Sequence, residues 1–317
     1  MPLLFAWFAA CRRLGRLASV VVCSFALLAS SVGAEAPTSN AGTGGGPAIW
    51  QVAGEAGQLF LFGTIHLLPA DEGWQTPALR AAMRAAGSLT LEVAAADIAT
   101  PEMTQFTMRE GFFADGGTLG GTIDGALHER LKALASQLGL PMASLERMRP
   151  WLAAISLTMV YAQSQGFAQE SGAEAWLSRG FTEMEKPILG LEDPLTGLKA
   201  LAGPSPAAQE AMLAETIGQL ADGGDILHQL HQAWRAGDTE SLGALLLDGM
   251  QNQPELYQAI IVERNNDWVP KLEVLLATPG VHMVAVGAAH LIGEDSVIAL
   301  LRQKGYEVRR LGDVVAR

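Results

Sequence analysis

Along this chain, short unbroken apolar runs alternate with long stretches in which apolar residues recur every three or four positions. The runs at 59–62 and 283–286 fit strands covered on both faces. Residues 49–53 and 58–62 flank Gly54-Glu55-Ala56-Gly57, which reads as a hairpin. A helical pattern at 77–86 puts Leu79, Met83 and Ala86 on one face, and 88–93 follows as a short strand. Strand, helix, strand implies a right-handed crossover, with parallel strands whose C-terminal ends share an edge. From 104 to 180 the pattern is helical, with Leu127, Leu131, Leu134 and Leu138 at three- and four-residue steps and a thoroughly apolar stretch at 150–163. Residues 186–192 return as a strand. A second helical stretch, 207–276, is interrupted near Gly223-Gly224, Gly237 and Pro254. Strand 283–286, a helix at 295–303 opened by Glu294 and Asp295 and closed by Gly305, and strand 306–311 follow. The sum is one α/β domain at 49–317, with a mixed, largely parallel central sheet and two large helical insertions.

The N-terminal pattern is of another kind. Arg12, Arg13 and Arg16 precede an apolar run at 17–28, and Val32-Gly33-Ala34 supplies small residues for a signal peptidase. Residues 1–34 therefore read as a signal peptide cleaved after Ala34, which makes the chain periplasmic or secreted. The apolar run is shorter than the ~20 residues of a comfortable span, so an uncleaved anchor is the weaker alternative. Residues 35–48, rich in glycine and small side chains, read as a flexible linker. Cleavage removes three arginines and no acid, leaving 18 basic against 33 acidic residues and a formal charge of −15. Such a surface argues against nucleic acid or anionic membrane as a partner. Both cysteines, Cys11 and Cys23, fall inside the leader, so histidines, carboxylates and backbone groups carry whatever chemistry there is. Gly-x-Ser-x-Gly elbows and phosphate loops are absent from the sequence.

Two apolar runs end alike, in Gly63-Thr64-Ile65-His66-Leu67 and Gly287-Ala288-Ala289-His290-Leu291. Each glycine lets the backbone leave the sheet, and each histidine lands just past a strand end, where open α/β sheets bind ligands. Glu92 and Glu192 finish two further strands. Convergence of His66, Glu92, Glu192 and His290 at one edge is the simplest use of this arrangement, with Glu192 the weakest member because bracing the Asp193-Pro194 turn explains it as well. Two imidazoles and one or two carboxylates suit a divalent transition metal such as manganese, cobalt or zinc, whose bound water becomes a nucleophile. The same residues also work without metal: histidine as acid or base, glutamate orienting it, arginine stabilising negative charge. The residues leave both open. In the polar segment 263–268, Arg264 can fork to a carboxylate or oxyanion and Asn265 can donate beside it, against the plain reading of a solvated helix face. His128, His228 and His231 read as surface or solvated helix positions, and His282 as an outward-facing strand residue.

The ordered set Leu-Phe-Gly-Thr-Ile-His-Leu-Leu-Pro (61–69), Leu-Glu-Val (91–93), Lys-Pro-Ile-Leu-Gly-Leu-Glu (186–192), Glu-Arg-Asn-x-x-Trp (263–268), Val-Gly-Ala-x-His-Leu-x-Gly (286–293) and Gly-Tyr-x-Val (305–308) resembles the TraB/GumN family, which includes the Tiki-type metallopeptidases. The resemblance runs from about 49 to 311. It implies paired Gly-x-x-His motifs forming one site and, for the Tiki branch, a peptidase using manganese or cobalt. His66 and His290 match the motif histidines, Glu92 the acid after the first crossover, and Arg264 with Asn265 the Arg-Asn pair. The expected function is an exported metal-dependent hydrolase acting on a peptide or other small substrate. His66, Glu92 and His290 are its expected ligands, and Glu92, Arg264 and Asn265 its expected catalytic groups. A non-catalytic ligand-binding protein for peptide or haem, or a polysaccharide-associated factor, is the alternative. After Glu92 the chain is blander than the acid-rich pattern of the family, with Asp97 its nearest acid.

Overall fold

A computed structural model of the chain describes residues 45–70, 73–94, 100–114, 116–221 and 225–311. The leader, most of the linker and Asp97 lie outside the described residues. The strands are β1 (Ile49–Ala53), β2 (Gly57–Thr64), β3 (Leu68–Pro69), β4 (Ser88–Leu91), β5 (Phe167–Ala168), β6 (Ile188–Gly190), β7 (Gly280–Gly287) and β8 (Val308–Arg310). Six of them form one sheet in the order β6-β4-β7-β2-β1-β8. The four from β6 to β2 are parallel, and β1 runs antiparallel to both β2 and β8.

The apolar runs are explained by cover on both faces. Phe60, Phe62, Leu89, Leu91, Met283 and Ala285 enter one hydrophobic cluster, while their alternates Leu59, Leu61, Val284 and Val286 enter another. Helices of both insertions cover the first face, through residues such as Leu177, Phe181 and Trp234. Two C-terminal helices, Glu263–Ala277 and Val297–Gln303, cover the second through Trp268, Leu272, Leu276, Val297 and Leu301. Strands so enclosed need no polar alternation.

β2 and β4 are parallel, as the crossover through helix Pro77–Ala85 requires, but they are not neighbours. β7, from the far end of the sequence, pairs between them. Its unbroken apolar run makes it the strand best suited to the centre of the sheet. The helical stretch expected at 104–180 resolves into Pro101–Gly111, Gly125–Gln137, Met142–Leu145, Pro150–Ser164 and Ala173–Glu183. Just before the last of these, β5 pairs with β3 in a two-stranded ribbon too short to leave a periodic signal. The second insertion holds Thr196–Ala202, Pro206–Ala221, Ile226–Ala236, Thr239–Gln251 and Pro254–Tyr257, and then a π-helical turn, Gln258–Val262, that runs straight into Glu263–Ala277. The helix expected at 295 starts at Val297, because Ser296 caps it by accepting from the Ala299 N–H, and Glu294 and Asp295 stand outside it. Among the described residues no helix is long and apolar enough to cross a membrane.

Candidate functional site

The repeated motif becomes an adjacency. β2 and β7 pair in parallel with Gly63 beside Val286 and Thr64 beside Gly287, so both chains leave the sheet at the same level. Gly63 permits this closeness: a Cβ there would meet Ala288 Cα at 3.2 Å. The Gly63 carbonyl is held by the Trp234 indole N–H at 2.8 Å, which ties the second insertion to the first motif. β4 lies on the other side of β7, with Leu91 beside Ala285, and brings Glu92 to the same edge.

Arg264 is the hub. Its Nη2 donates to Glu92 Oε2 at 2.6 Å and to Glu192 Oε1 at 2.7 Å, and its Nε to Glu192 Oε2 at 3.0 Å. Its guanidinium also lies over the Trp268 ring, 4.8 Å from the centroid. The π-turn at Gln258–Val262 aims it, since the extra residue per turn rotates the helix that follows; such turns concentrate at functional sites. Arg264 and Asn265 are buried, contrary to the solvated-face reading.

A chain of hydrogen bonds determines the tautomer of His290. Asn265 Nδ2 donates to the Asp295 carbonyl at 2.8 Å, so Asn265 Oδ1 points at His290 Nδ1, 2.7 Å away. Nδ1 must then carry the proton, and Nε2 accepts from Arg264 Nη1 at 3.2 Å. His290 also packs against Trp268 with centroids 4.4 Å apart. Burial, then the neighbouring Arg264, lowers its pKa to about 3, so it is neutral at physiological pH.

His66 has different surroundings. It lines a cleft, and its Nδ1 approaches Glu174 Oε1 to 2.6 Å. Glu174 stands in the first turn of helix Ala173–Glu183, whose start docks on the first motif through the Ala173 N–H to the Ile65 carbonyl, 3.0 Å. Gly172 makes this docking possible, because a Cβ there would fall 2.2 Å from the His66 carbonyl oxygen. On the cleft side, a Cβ placed on Gly287 would be 3.2 Å from Glu92 Oε1, 3.6 Å from His290 Cδ2 and 3.8 Å from His66 Nε2. The notch over Gly287 is thus where the two histidines and Glu92 meet.

Burial works against ionising Glu92, but Arg264, then the two histidines and the Gly287 N–H at 2.7 Å, outweigh it and bring the pKa to about 2. Glu192 goes the other way: burial, aided by the charge of Glu92, raises its pKa although Arg264 and the Trp268 indole N–H bond to it. Arg264, between two carboxylates, is raised further above its ordinary range.

The residues named from sequence therefore come together, with Glu192 a full member. Glu174 was not foreseen. Among the described residues no group of three His, Cys, Asp or Glu side chains is arranged to hold a metal ion. The donor chemistry gives a reason. His290 Nδ1 donates to Asn265 Oδ1 while its Nε2 accepts from Arg264, both oxygens of Glu92 accept from donors, and a guanidinium cation lies among them. In this arrangement, a manganese, cobalt or zinc ion held by His66, Glu92 and His290 would have to displace the bonds of Arg264 to Glu92 and His290.

Of the other histidines, His231 is buried against Phe167 and Trp234 rather than solvated. His282 Nδ1 is 3.0 Å from Ser88 Oγ, and His128 Nε2 is 2.5 Å from Glu146 Oε1.

The model of the TraB/PrgY/gumN family matches residues 48–310. The chain belongs to that family. It is 25% identical over 174 residues to the YbaP proteins of Escherichia coli (strain K12) and Shigella flexneri, both described as uncharacterized. Each match covers 55% of this chain and 64% of the relative, so the chain spans just under two-thirds of their length. No solved structure matches. In this TraB-family chain, both Gly-x-x-His motifs, Glu92 and the Arg264-Asn265 pair lie inside the matched span.

Proposed function

We propose that this TraB-family chain is a hydrolase in which His66 is the general base and Glu174 its orienting acid. The observation that carries the reading is the 2.6 Å approach of Glu174 Oε1 to His66 Nδ1, at the edge of a cleft whose floor is the Arg264 cluster. An acid so close to Nδ1 favours the tautomer with the proton there, and Nε2 lies on the side of the notch over Gly287, as a base requires. Four of the five N–H bonds of Arg264 go to Glu92, Glu192 and His290. The fifth, on Nη1, is the donor available to a substrate oxygen.

The chemistry follows. His66 Nε2 takes a proton from a water over Gly287, and the water oxygen bonds to the carbonyl carbon of an amide or ester. The carbonyl oxygen becomes an oxyanion against Arg264 Nη1–H. The bond to the leaving group then breaks, and that group takes the proton back from His66. Glu92 stays ionised throughout and holds the guanidinium in place, and neutral His290 fixes its orientation without competing for the proton. Every step is carried by the side chains themselves. The leader-like first 34 residues support an exported enzyme.

The test is hydrolysis of a library of acetylated peptides and esters by residues 35–317. His66→Ala is expected to lose roughly 10²–10⁴-fold in rate. Glu174→Gln should lower kcat while shifting the acid limb of the kcat/KM profile, which a purely structural role would leave unmoved. Unchanged turnover in His66→Ala, or no turnover of any library member by the native chain, would remove the reading.

A further inference from the structure

The cleft over the site is built from two sources. Its floor is polar and belongs to the sheet edge and Arg264. Its sides are apolar and come from the second insertion: Leu201, Leu246, Met250, Ile260 and Ile261. These five offer a substrate no strong hydrogen-bonding group, and each is no more than 4% exposed, packed into the main hydrophobic cluster with little open space beside it. Where the second motif meets the cleft, Gly287, Ala288 and Ala289 keep the wall close to bare backbone.

We propose that this cleft reads a small apolar group, of alanine to valine size, on the substrate carbon next to the reacting carbonyl. The placement beside the carbonyl rests on the hydrolase reading; the size and polarity of the group rest on the walls alone. A charged or amide side chain would give up its hydration with nothing on these walls to replace it. A large group would have to displace Ile260 and Ile261. Both sit in the π-turn that leads into Arg264, so they cannot retreat without moving the guanidinium and its bonds to Glu92 and Glu192. Met250, on helix Thr239–Gln251, has no such tie. It is unbranched and adaptable, and it is the wall whose shortening should enlarge the space. Leu201, Leu246 and Met250 lie apart in sequence from the chemistry-bearing motifs, so selection can change through them while the floor stays as it is.

The experiment is binding of N-acetyl amino-acid amides to residues 35–317, measured by ligand-observed NMR, with Ala, Val, Leu, Phe, Lys and Asp members. The native chain is expected to bind the Ala and Val amides about tenfold or more tighter than the Phe, Lys and Asp amides. Met250→Ala should move the preference to Leu or Phe by a comparable factor, and Leu246→Phe should lose Val before Ala. The ranking by the native chain is a test even if a variant fails to fold. No binding of any amide, equal binding across the panel, preference for a charged member, or an unmoved size preference in folded Met250→Ala each overturns the proposal. Turnover is not needed for the readout. A chain that ranks the amides as expected but hydrolyses nothing loses only the hydrolase reading, whereas one that hydrolyses without ranking loses only this one.

Discussion

His66 and His290 share a motif but not their surroundings. His290 is buried, neutral and committed at both ring nitrogens, while His66 stands at the cleft with an acid at Nδ1. The two motifs read alike because both must pass the strand end on a glycine; what differs is the partner each histidine meets, and that comes from distant sequence. Asn265 and Arg264 were legible partners because they sit in a polar segment within an apolar helix. Glu174 was not, since first-turn acids also stand at Glu102 and Glu240 for helical reasons alone. Arg264 is the residue on which the cluster depends. Arg264→Met leaves Glu92 and Glu192 buried without their cation and is expected to destabilise by ~3–5 kcal/mol. Arg264→Lys restores the charge but not the fork that spans both carboxylates and His290, so it should recover only part of that loss in denaturant melts. The same cation bears on the metal question. Dialysis against manganese, cobalt and zinc in turn is expected to leave the native chain without stoichiometric metal by elemental analysis. One ion per chain, lost in a His66→Ala, His290→Ala double variant, would restore the metal reading.

At the scale of elements, the convergence of strand ends was readable because apolar runs, glycines and terminal polar residues all sit next to one another in sequence. The pairing of β7 between β2 and β4 was not, because a crossover sets handedness and direction but does not say which strand fills the gap it leaves. The glycines at the paired strand ends separate stability from activity. Gly287 has φ −49°, which any residue adopts, and an added methyl would only crowd Glu92 Oε1, with the closest contact at 3.2 Å. Gly287→Ala should therefore fold with stability within about 1 kcal/mol of the native chain, yet fill the notch between His66 and Glu92 and lose tenfold or more in turnover. Gly63→Ala presses instead on the backbone of Ala288 and on the register of two central strands. It is expected to cost about 1–3 kcal/mol, with activity lost in proportion to unfolding. Thermal melts paired with turnover assays distinguish the two, and equal effects at both glycines would show that the notch is not where the reaction occurs.

The whole molecule carries the cluster as a sensitivity to acid. His290 titrates near its ordinary 6.5 when the chain is unfolded but at about 3 in the fold. As pH falls below 6.5 the unfolded chain takes up a proton that the folded chain refuses, so the contribution of neutral His290, complete above 6.5, is lost at about 1.4 kcal/mol per pH unit. Glu92, ordinarily near 4.5 and held at about 2, adds a loss of the same sign only below 4.5. Glu192, raised by burial, works in the opposite sense, since protonation in the fold favours the fold. Between pH 6.5 and 4.5, where Glu92 has not begun to contribute, comparison with His290→Asn isolates the histidine, because the other ionisable groups are common to both proteins. The variant should be the less stable at pH 7, having lost the bonds to Asn265 and Arg264. As pH falls, the native curve should drop toward it, closing the gap by about 2 kcal/mol over those two pH units in urea denaturation. A gap that stays constant from pH 7 to 4.5 would mean that His290 accepts a proton in the fold. It would then have to give up the Arg264 bond, and the contrast between the two histidines would fail with it.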